Sequence, residues 1–424
     1  MAALALSGVI VGAAERGRPG GVRVPPAPFI ARSEVLAKLL RLRDKGRLAQ
    51  PLLLVGPEGS GKEGTALDFA RRLNCLGPAV CRDDAPCESC TKVASFQHPD
   101  IRWIGPAPAT FNEADVRALL EQKLTNPFAR GVEAATSQVN IGDPENPGPL
   151  TVRALIRFLR VRAFQGPWKV AIVSDAQRLN TAAANAFLKT LEEPPADTVI
   201  MLTSTGTEGM LPTILSRCQK VRFEPWAEAE LSAHLAAVSG AAADQTLWAA
   251  RLAQGNARLA NDLLQPESRA LAAWAGLLFG WIADGSRGQA AIAADELHRG
   301  VYSHAVEAPP ARRGSSGAGE QGAGERRARA IRLCELLNLH YSDALICREA
   351  GDGWQPRFPE AAAVVKRVAT QRPTTELLGD MTRIDAAGGD IDRNLSIGLV
   401  MAVLFEGLQA HGRHEPATGT RAAR

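Results

Sequence analysis

At 424 residues, the chain is too long for one hydrophobic core and suggests about two to four domains at roughly 100–200 residues each. A formal net charge of +4, with 22% of residues charged, excludes a global field that would draw it onto nucleic acid or acidic lipid, so any DNA contact is expected from a local patch. No apolar run approaches the ~20 residues of a membrane-spanning helix, and the reading is a soluble protein with no membrane partner.

Residues 1–28, opening "MAALALSGVIVGAAERGRPG", lack the positive charge ahead of an apolar stretch that a secretory signal carries, and read as a flexible tail. Ser33 is placed to N-cap a helix running to about Arg47. "PLLLV" (51–55) reads as a short buried strand, and "GPEGSGKEGTA" (56–66) follows it directly. Lys62 then opens a helix on which Ala66, Phe69, Ala70 and Leu73 share a face. From 106 to 149 the periodicity weakens, and the turn formers of "QVNIGDPENPGP" suggest an irregular insertion. "TVRALIRFLRVRA" restores a helix through Val152, Leu155, Ile156 and Leu159. Strands follow at 169–173 and 198–203, separated by a helix over about 180–192, and a further apolar run lies at 220–223. Strands alternating with helices predict a parallel sheet covered on both faces, in an α/β domain spanning 29–224. Past Pro225 the strand signals stop. Residues 225–266 read as a small helical lid and 267–412 as an all-α domain, interrupted by a disordered low-complexity loop at 307–326 and followed by a tail at 413–424.

The stretch 56–66 follows the phosphate-loop pattern G-x-x-x-x-G-K-[ST] until its last position. Between a buried strand and a helix, Gly56, Gly59, Gly61 and Lys62 are placed to cradle a phosphate with backbone amides, a helix N-terminus and an ammonium group. The pattern then asks for a hydroxyl that ligates magnesium and finds Glu63, a carboxylate close to a triphosphate. The second nucleotide element, an acidic pair that holds the metal and orients water, belongs at the end of the 169–173 strand. There "KVAIVSDAQRLN" puts Ser174 in the first acid's place and Asp175 in the second's, and Asp175 reads as a helix-capping carboxylate. ATP or ADP binding is therefore expected to be weak or absent, without competent magnesium placement.

Seven cysteines suit a reducing, cytoplasmic compartment, and four of them, Cys75, Cys81, Cys87 and Cys90, crowd into sixteen residues. The "CESC" turn supplies two thiolates from one short loop, and the four together predict a tetrahedral zinc site. Reduced, buried thiols are the alternative. Cys218, Cys334 and Cys347 are isolated and read as core or surface residues.

The run "LNTAAANAFLKTLEEPPADTVIMLTSTGTEGMLPTILSRCQKVRF" closely resembles the most recognisable stretch of the bacterial clamp loaders, the AAA+ subunits of DNA polymerase III. By motif the resemblance covers about residues 29 to 264, and "DIDRNLSIGLVMAVLFEGLQ" is similar to the last helix of the loader collar. It implies an α/β P-loop AAA+ domain, a helical lid and an all-α C-terminal collar. It also makes Arg217, in Ser216-Arg217-Cys218, an arginine finger pointed at ATP held by a neighbouring subunit. Thr205 falls at the sensor-one position and Arg258, in "GNARLA", at sensor two; for both, a plain structural role stays open.

The motor subunits gamma and tau resemble this chain in the cysteines and the Ser-Arg-Cys triplet but carry intact magnesium ligands. Ser174-Asp175-Ala176 and "QHPDI" (97–101) are similar instead to the delta-prime branch, whose own nucleotide site is degenerate. The resemblance thus implies a largely ATPase-inactive subunit, working with delta and gamma/tau partners to open a sliding clamp and load it onto primer-template DNA. An ATP-hydrolysing gamma/tau-type motor is the alternative, and turnover by the isolated chain separates the two. A stand-alone zinc-dependent DNA-binding protein fits less well, because the cysteine loop lacks interleaved basic and aromatic residues.

Overall fold

The computed structural model describes residues 31–48, 50–77, 81, 85–108, 110–125, 137–285, 321–393 and 395–410. Its strands β1 (Leu52–Val55), β2 (Ile101–Ile104), β3 (Lys169–Val173), β4 (Thr198–Ser204) and β5 (Gln219–Arg222) form one parallel sheet in the order β2-β3-β4-β1-β5. The interior strands β3 and β4 are buried throughout, which is why they appear in the sequence as unbroken apolar runs rather than alternating ones. The edge strand β2, "IRWI", has no such signature: it is short and broken by Arg102, and only its pairing with β3, Ile101 beside Val170 and Ile104 beside Val173, makes it a strand. Register places Val55 beside Ser204 and Val173 beside Leu202. The carboxyl ends of β1, β3 and β4 therefore open at one edge, where ligands of open α/β sheets bind.

The helices around the sheet are α1 (Ser33–Asp44), α2 (Lys62–Leu73), α3 (Glu88–Ala94), α4 (Glu113–Thr125), α5 (Val152–Leu159), α6 (Thr181–Glu192) and α7 (Pro212–Leu215). Two expectations need correction. Ser33 is the first helical residue and Arg32 the N-cap, and α1 ends at Asp44, before Gly46 turns the chain at φ 64°. The insertion at 106–149 is not irregular throughout: α4 starts after Asn112, whose carboxamide oxygen accepts from the N–H groups of Ala114 and Asp115 at 2.8 and 3.2 Å, and buries Val116 and Leu119. Residues 126–136 of that insertion lie outside the described residues.

After Pro225 the described residues form helices: α8 (Glu228–Ser239), α9 (Ala243–Ala253), α10 (Ala257–Leu263), α11 (Pro266–Ala283), α12 (Gln321–Ala350), α13 (Ala362–Gln371), α14 (Thr374–Asp392) and α15 (Ile397–Ala410). One apolar cluster runs through these helices from Trp226 to Leu408, around Trp274, Phe279, Tyr341, Phe358 and Phe405; a separate cluster, from Val35 to Phe223, holds the sheet. The low-complexity reading of 307–326 is corrected at its end, since 321–326 already belong to α12; 307–320, like 1–28 and 413–424, lie outside the described residues.

Asp100, fully buried just ahead of β2, fastens this edge of the sheet. Its carboxylate accepts from the N–H groups of Phe164, Gln165 and Gly166 at 2.7, 2.6 and 2.9 Å and from the Lys169 ammonium at 3.2 Å. Burial acts to raise its pKa, but these donors outweigh it and hold the carboxyl below the usual range. A depressed folded-state pKa gives stability that is present above the unfolded value, roughly pH 4, and is lost as pH falls through the folded one. Asp100→Asn is expected to cost about 3 kcal/mol at pH 7, the scale of a buried charge network that loses one partner, and to flatten the acid limb of the stability profile. Urea unfolding at neutral and acid pH measures both, and an unchanged midpoint at pH 7 would contradict this role.

Candidate functional site

The loop after β1 is held from below by the Gly56 N–H, which donates to the Ser204 carbonyl at 3.2 Å. Gly61, at φ 86°, is the left-handed N-cap of α2. The Lys62 ammonium, 8% exposed, donates to the carbonyls of Gly56 and Pro57 at 2.6 and 2.7 Å and to Ser60 Oγ at 3.3 Å. All three of its protons are therefore engaged by the loop itself. Burial lowers its pKa to about 8, against the pull of Asp175, Glu58 and Glu63 in the other direction.

Glu63 and Ser174, the two departures from the nucleotide pattern, are bonded to each other. Ser174 Oγ donates to Glu63 Oε2 at 2.8 Å and itself accepts from Trp103 Nε1 at 2.8 Å, while Lys123 Nζ donates to Glu63 Oε1 at 2.7 Å. Neither Lys123 nor Trp103 was legible as part of the site. Asp175 sits beside them in the left-handed region, at φ 51°, with its N–H on Thr203 Oγ1 at 3.2 Å. The capping expectation fails for it: its carboxylate caps no backbone N–H and accepts instead from the Gln177 amide at 3.3 Å. Thr205 lies exposed just beyond β4.

The helical part of the chain closes directly on this loop. The Gly59 carbonyl accepts from the Ala257 N–H at 3.1 Å and from Trp226 Nε1 at 3.0 Å. A Cβ on Gly59 would stand 2.0 Å from Asn256 Oδ1, so this approach requires glycine. Arg258, at the start of α10, pairs with Glu58 of the loop. Arg32 stacks its guanidinium 4.4 Å from the centre of the Trp226 ring and donates its N–H to Thr65 Oγ1 at 2.9 Å. Gly56, Gly59, Gly61, Lys62 and Arg258 thus converge, joined by their motif neighbours Glu58 and Asn256 and by Trp226, which carried no sequence signal. Arg217 is elsewhere, following α7, where it pairs with Glu192 of α6 and donates to the Thr213 carbonyl at 2.8 Å.

The cysteines form a second centre. Cys75 follows α2, Cys87 is the N-cap of α3 and Cys90 lies in its first turn, and with Cys81 their sulfurs all fall within 4.8 Å of one another. Tetrahedral zinc with Zn–S bonds of ~2.3 Å holds its sulfurs about 3.8 Å apart, so these four could hold a metal such as zinc. Burial acts to raise the Cys87 thiol, but hydrogen bonds from the backbones of Cys90 and Leu76 and from the neighbouring thiols bring it down to about 6. Burial, with the Cys75 and Cys87 thiols beside it, pushes Cys90 up. Behind the cluster, Ser89 Oγ donates to the Asn74 carbonyl at 2.6 Å, and the Asn74 side chain exchanges two bonds of 2.9 Å with the Trp168 backbone just ahead of β3. Cys218 and Cys334 are core thiols, which burial raises to about 11 and about 12.

A five-stranded parallel sheet with a glycine-rich loop between β1 and α2, followed by a helical C-terminal region, defines an α/β protein with an all-helical second part. A family model described as DNA polymerase III, delta subunit, matches residues 31–141 and 148–227. The delta-prime subunit of DNA polymerase III from Pseudomonas aeruginosa is 32% identical over 178 residues, 42% of this chain and 44% of that protein. The gamma/tau subunit from Mycobacterium tuberculosis is 30% identical over 205 residues, 47% of this chain and 29% of that protein. The chain thus spans less than half the length of either relative. A gamma subunit-related protein of DNA polymerase III from Thermotoga maritima, 16% identical, superposes over 89% of this chain and 99% of its own with a TM-score of 0.40. Over this matched region the chain is similar to delta-prime subunits of DNA polymerase III and, at comparable identity, to gamma/tau subunits.

If the four cysteines form one metal centre, freshly reduced protein should purify with one zinc ion, with Zn–S distances near ~2.3 Å by X-ray absorption. Cys87→Ser should lower the zinc content and loosen the turn into α3, seen as faster amide exchange there. Metal-free protein in both preparations would contradict the assignment.

Proposed function

We propose that this chain acts as the delta-prime subunit of the DNA polymerase III clamp loader, a largely ATPase-inactive arm that helps open the sliding clamp and load it onto primer-template DNA. The observation that carries this reading is the bond between Glu63 and Ser174, which joins the two positions where a working P-loop site binds magnesium. Lys62, engaged with its own loop, points the same way. In this reading 29–224 is the AAA+ domain, 225–266 the lid and 267–412 the collar, and the partners are delta and gamma/tau subunits. The loader would work in the cytoplasm; among the described residues no helix is long and apolar enough to cross a membrane.

Arg217 would act in trans. Phosphoryl transfer in a P-loop site develops charge on the transferred group, and an arginine inserted from a partner accelerates it by roughly 10³–10⁵-fold. A chain whose own site is disabled but whose finger is retained makes physical sense if that finger serves a neighbour's ATP. Gly56, Gly59, Gly61 and Lys62 would then be the remnant of a nucleotide loop, and Thr205 and Arg258 sensor positions turned to structural use.

Two measurements test this. The isolated chain should show no ATP turnover above background; a steady-state rate abolished by Lys62→Ala would make it a gamma/tau-type motor instead. In the reconstituted loader, Arg217→Ala should leave folding, zinc content and assembly near normal, since it removes a half-exposed surface cation paired with Glu192 and opens no core cavity. DNA- and clamp-stimulated ATPase should fall several-fold, and clamp loading with it. Wild-type rates from that variant would leave the chain a scaffold.

A further inference from the structure

A working P-loop binds its magnesium through a hydroxyl after the loop lysine and a carboxylate at the strand end. Here the same two chemical groups are present in exchanged places: the carboxylate, Glu63, follows Lys62, and the hydroxyl, Ser174, ends β3. The two meet at 2.8 Å. The remaining oxygen of Glu63 faces an ammonium, that of Lys123, at 2.7 Å, where a bound cation would lie. Lys123 reaches it from α4 with its side chain only 5% exposed and stands 5.0 Å from the centre of the Trp103 ring, so its charge is balanced by a carboxylate on one side and an aromatic face on another.

We propose that Glu63 and Ser174 form a latent divalent-cation site whose ion is replaced by the Lys123 ammonium, so that α2, α4, β2 and the end of β3 are tied together without metal or nucleotide. The proposal deepens the reading of the loop as a disabled nucleotide site and rests on it; it is independent of Arg217. Exchanging the ligand types leaves one carboxylate between the two exchanged positions, and the Lys123 ammonium pairs with it. A divalent ion beside Lys123 would have to enter against that fixed positive charge. The loop is thereby committed to one conformation, as a rigid arm in a nucleotide-driven machine requires.

The test uses the full-length, zinc-loaded chain and compares wild type, Lys123→Met, which keeps the apolar stem and removes the charge, and Lys123→Met with Glu63→Gln. Thermal melts are recorded with and without millimolar magnesium chloride at matched ionic strength, and manganese binding is followed by electron paramagnetic resonance. The wild-type melt should be insensitive to magnesium. Lys123→Met should melt several degrees lower without magnesium, recover part of that loss when it is added, and bind one manganese ion. In the double variant both the magnesium shift and the manganese site should vanish. A Lys123→Met variant that gains neither magnesium stabilisation nor a manganese site would overturn the proposal. If that variant fails to fold, the wild type still decides: a manganese site in it that Glu63→Gln abolishes would show that Lys123 does not take the ion's place. None of these outcomes depends on turnover by the isolated chain or on the Arg217 variant, so this idea and the functional reading can fail separately.

Discussion

A carboxylate in the first turn of α2 governs the loop around it. Negative charge there is favourable to the helix N-terminus but sits close to where a phosphate loop holds its anion, so it needs compensation. Glu63 finds it in the Lys123 ammonium and the Ser174 hydroxyl, at 2.7 and 2.8 Å. Because those partners come from α4 and the end of β3, a single charge fixes the relative positions of the loop helix, the insertion helix and the sheet edge. Trp103 extends the chain of contacts to β2 through its bond to Ser174.

The segment from Trp226 to α10 completes what the carboxylate begins. Trp226, Ala257 and Arg258 take the Gly59 carbonyl and the Glu58 carboxylate as their partners, so contacts that a bound nucleotide could mediate are made directly between protein groups. Desolvated ion pairs and hydrogen bonds of this kind favour one geometry over many even where their net contribution to stability is modest. Arg258 and Lys62 are both occupied, each by a group from within the chain. The cysteine cluster stands on the same support from the other side: Asn74, at the end of α2, ties it to the backbone leading into β3, and Asp100 fastens that backbone to β2.

Much of this was already written in the sequence. The apolar runs at 51–55, 169–173 and 198–203 and the helical periodicities between them specify a parallel α/β sheet, because strands buried on both faces cannot alternate. The glycine loop, the four close-set cysteines and the departures at 63 and 174 are local signals, legible because their chemistry depends on neighbours in the chain. The sequence showed that positions 63 and 174 depart from the phosphate-loop pattern. It did not show that the altered residues bond to each other, since 111 positions separate them.

Tertiary structure alone decided the rest. Strand β2 exists only by pairing with β3; an edge strand of four residues carrying an arginine has no periodicity of its own. Helix α4 hid in the insertion because its apolar stripe is narrow and is completed by the sheet domain it packs on. Lys123, Trp103 and Trp226 belong to no motif, and each acquires its place only when folding brings it against the loop after β1 or the end of β3, up to 167 residues away. Backbone patterning and ligand spacing are properties of short segments and survive in the one-dimensional record. Charge compensation is a property of distance in space, and the chain must fold before it exists.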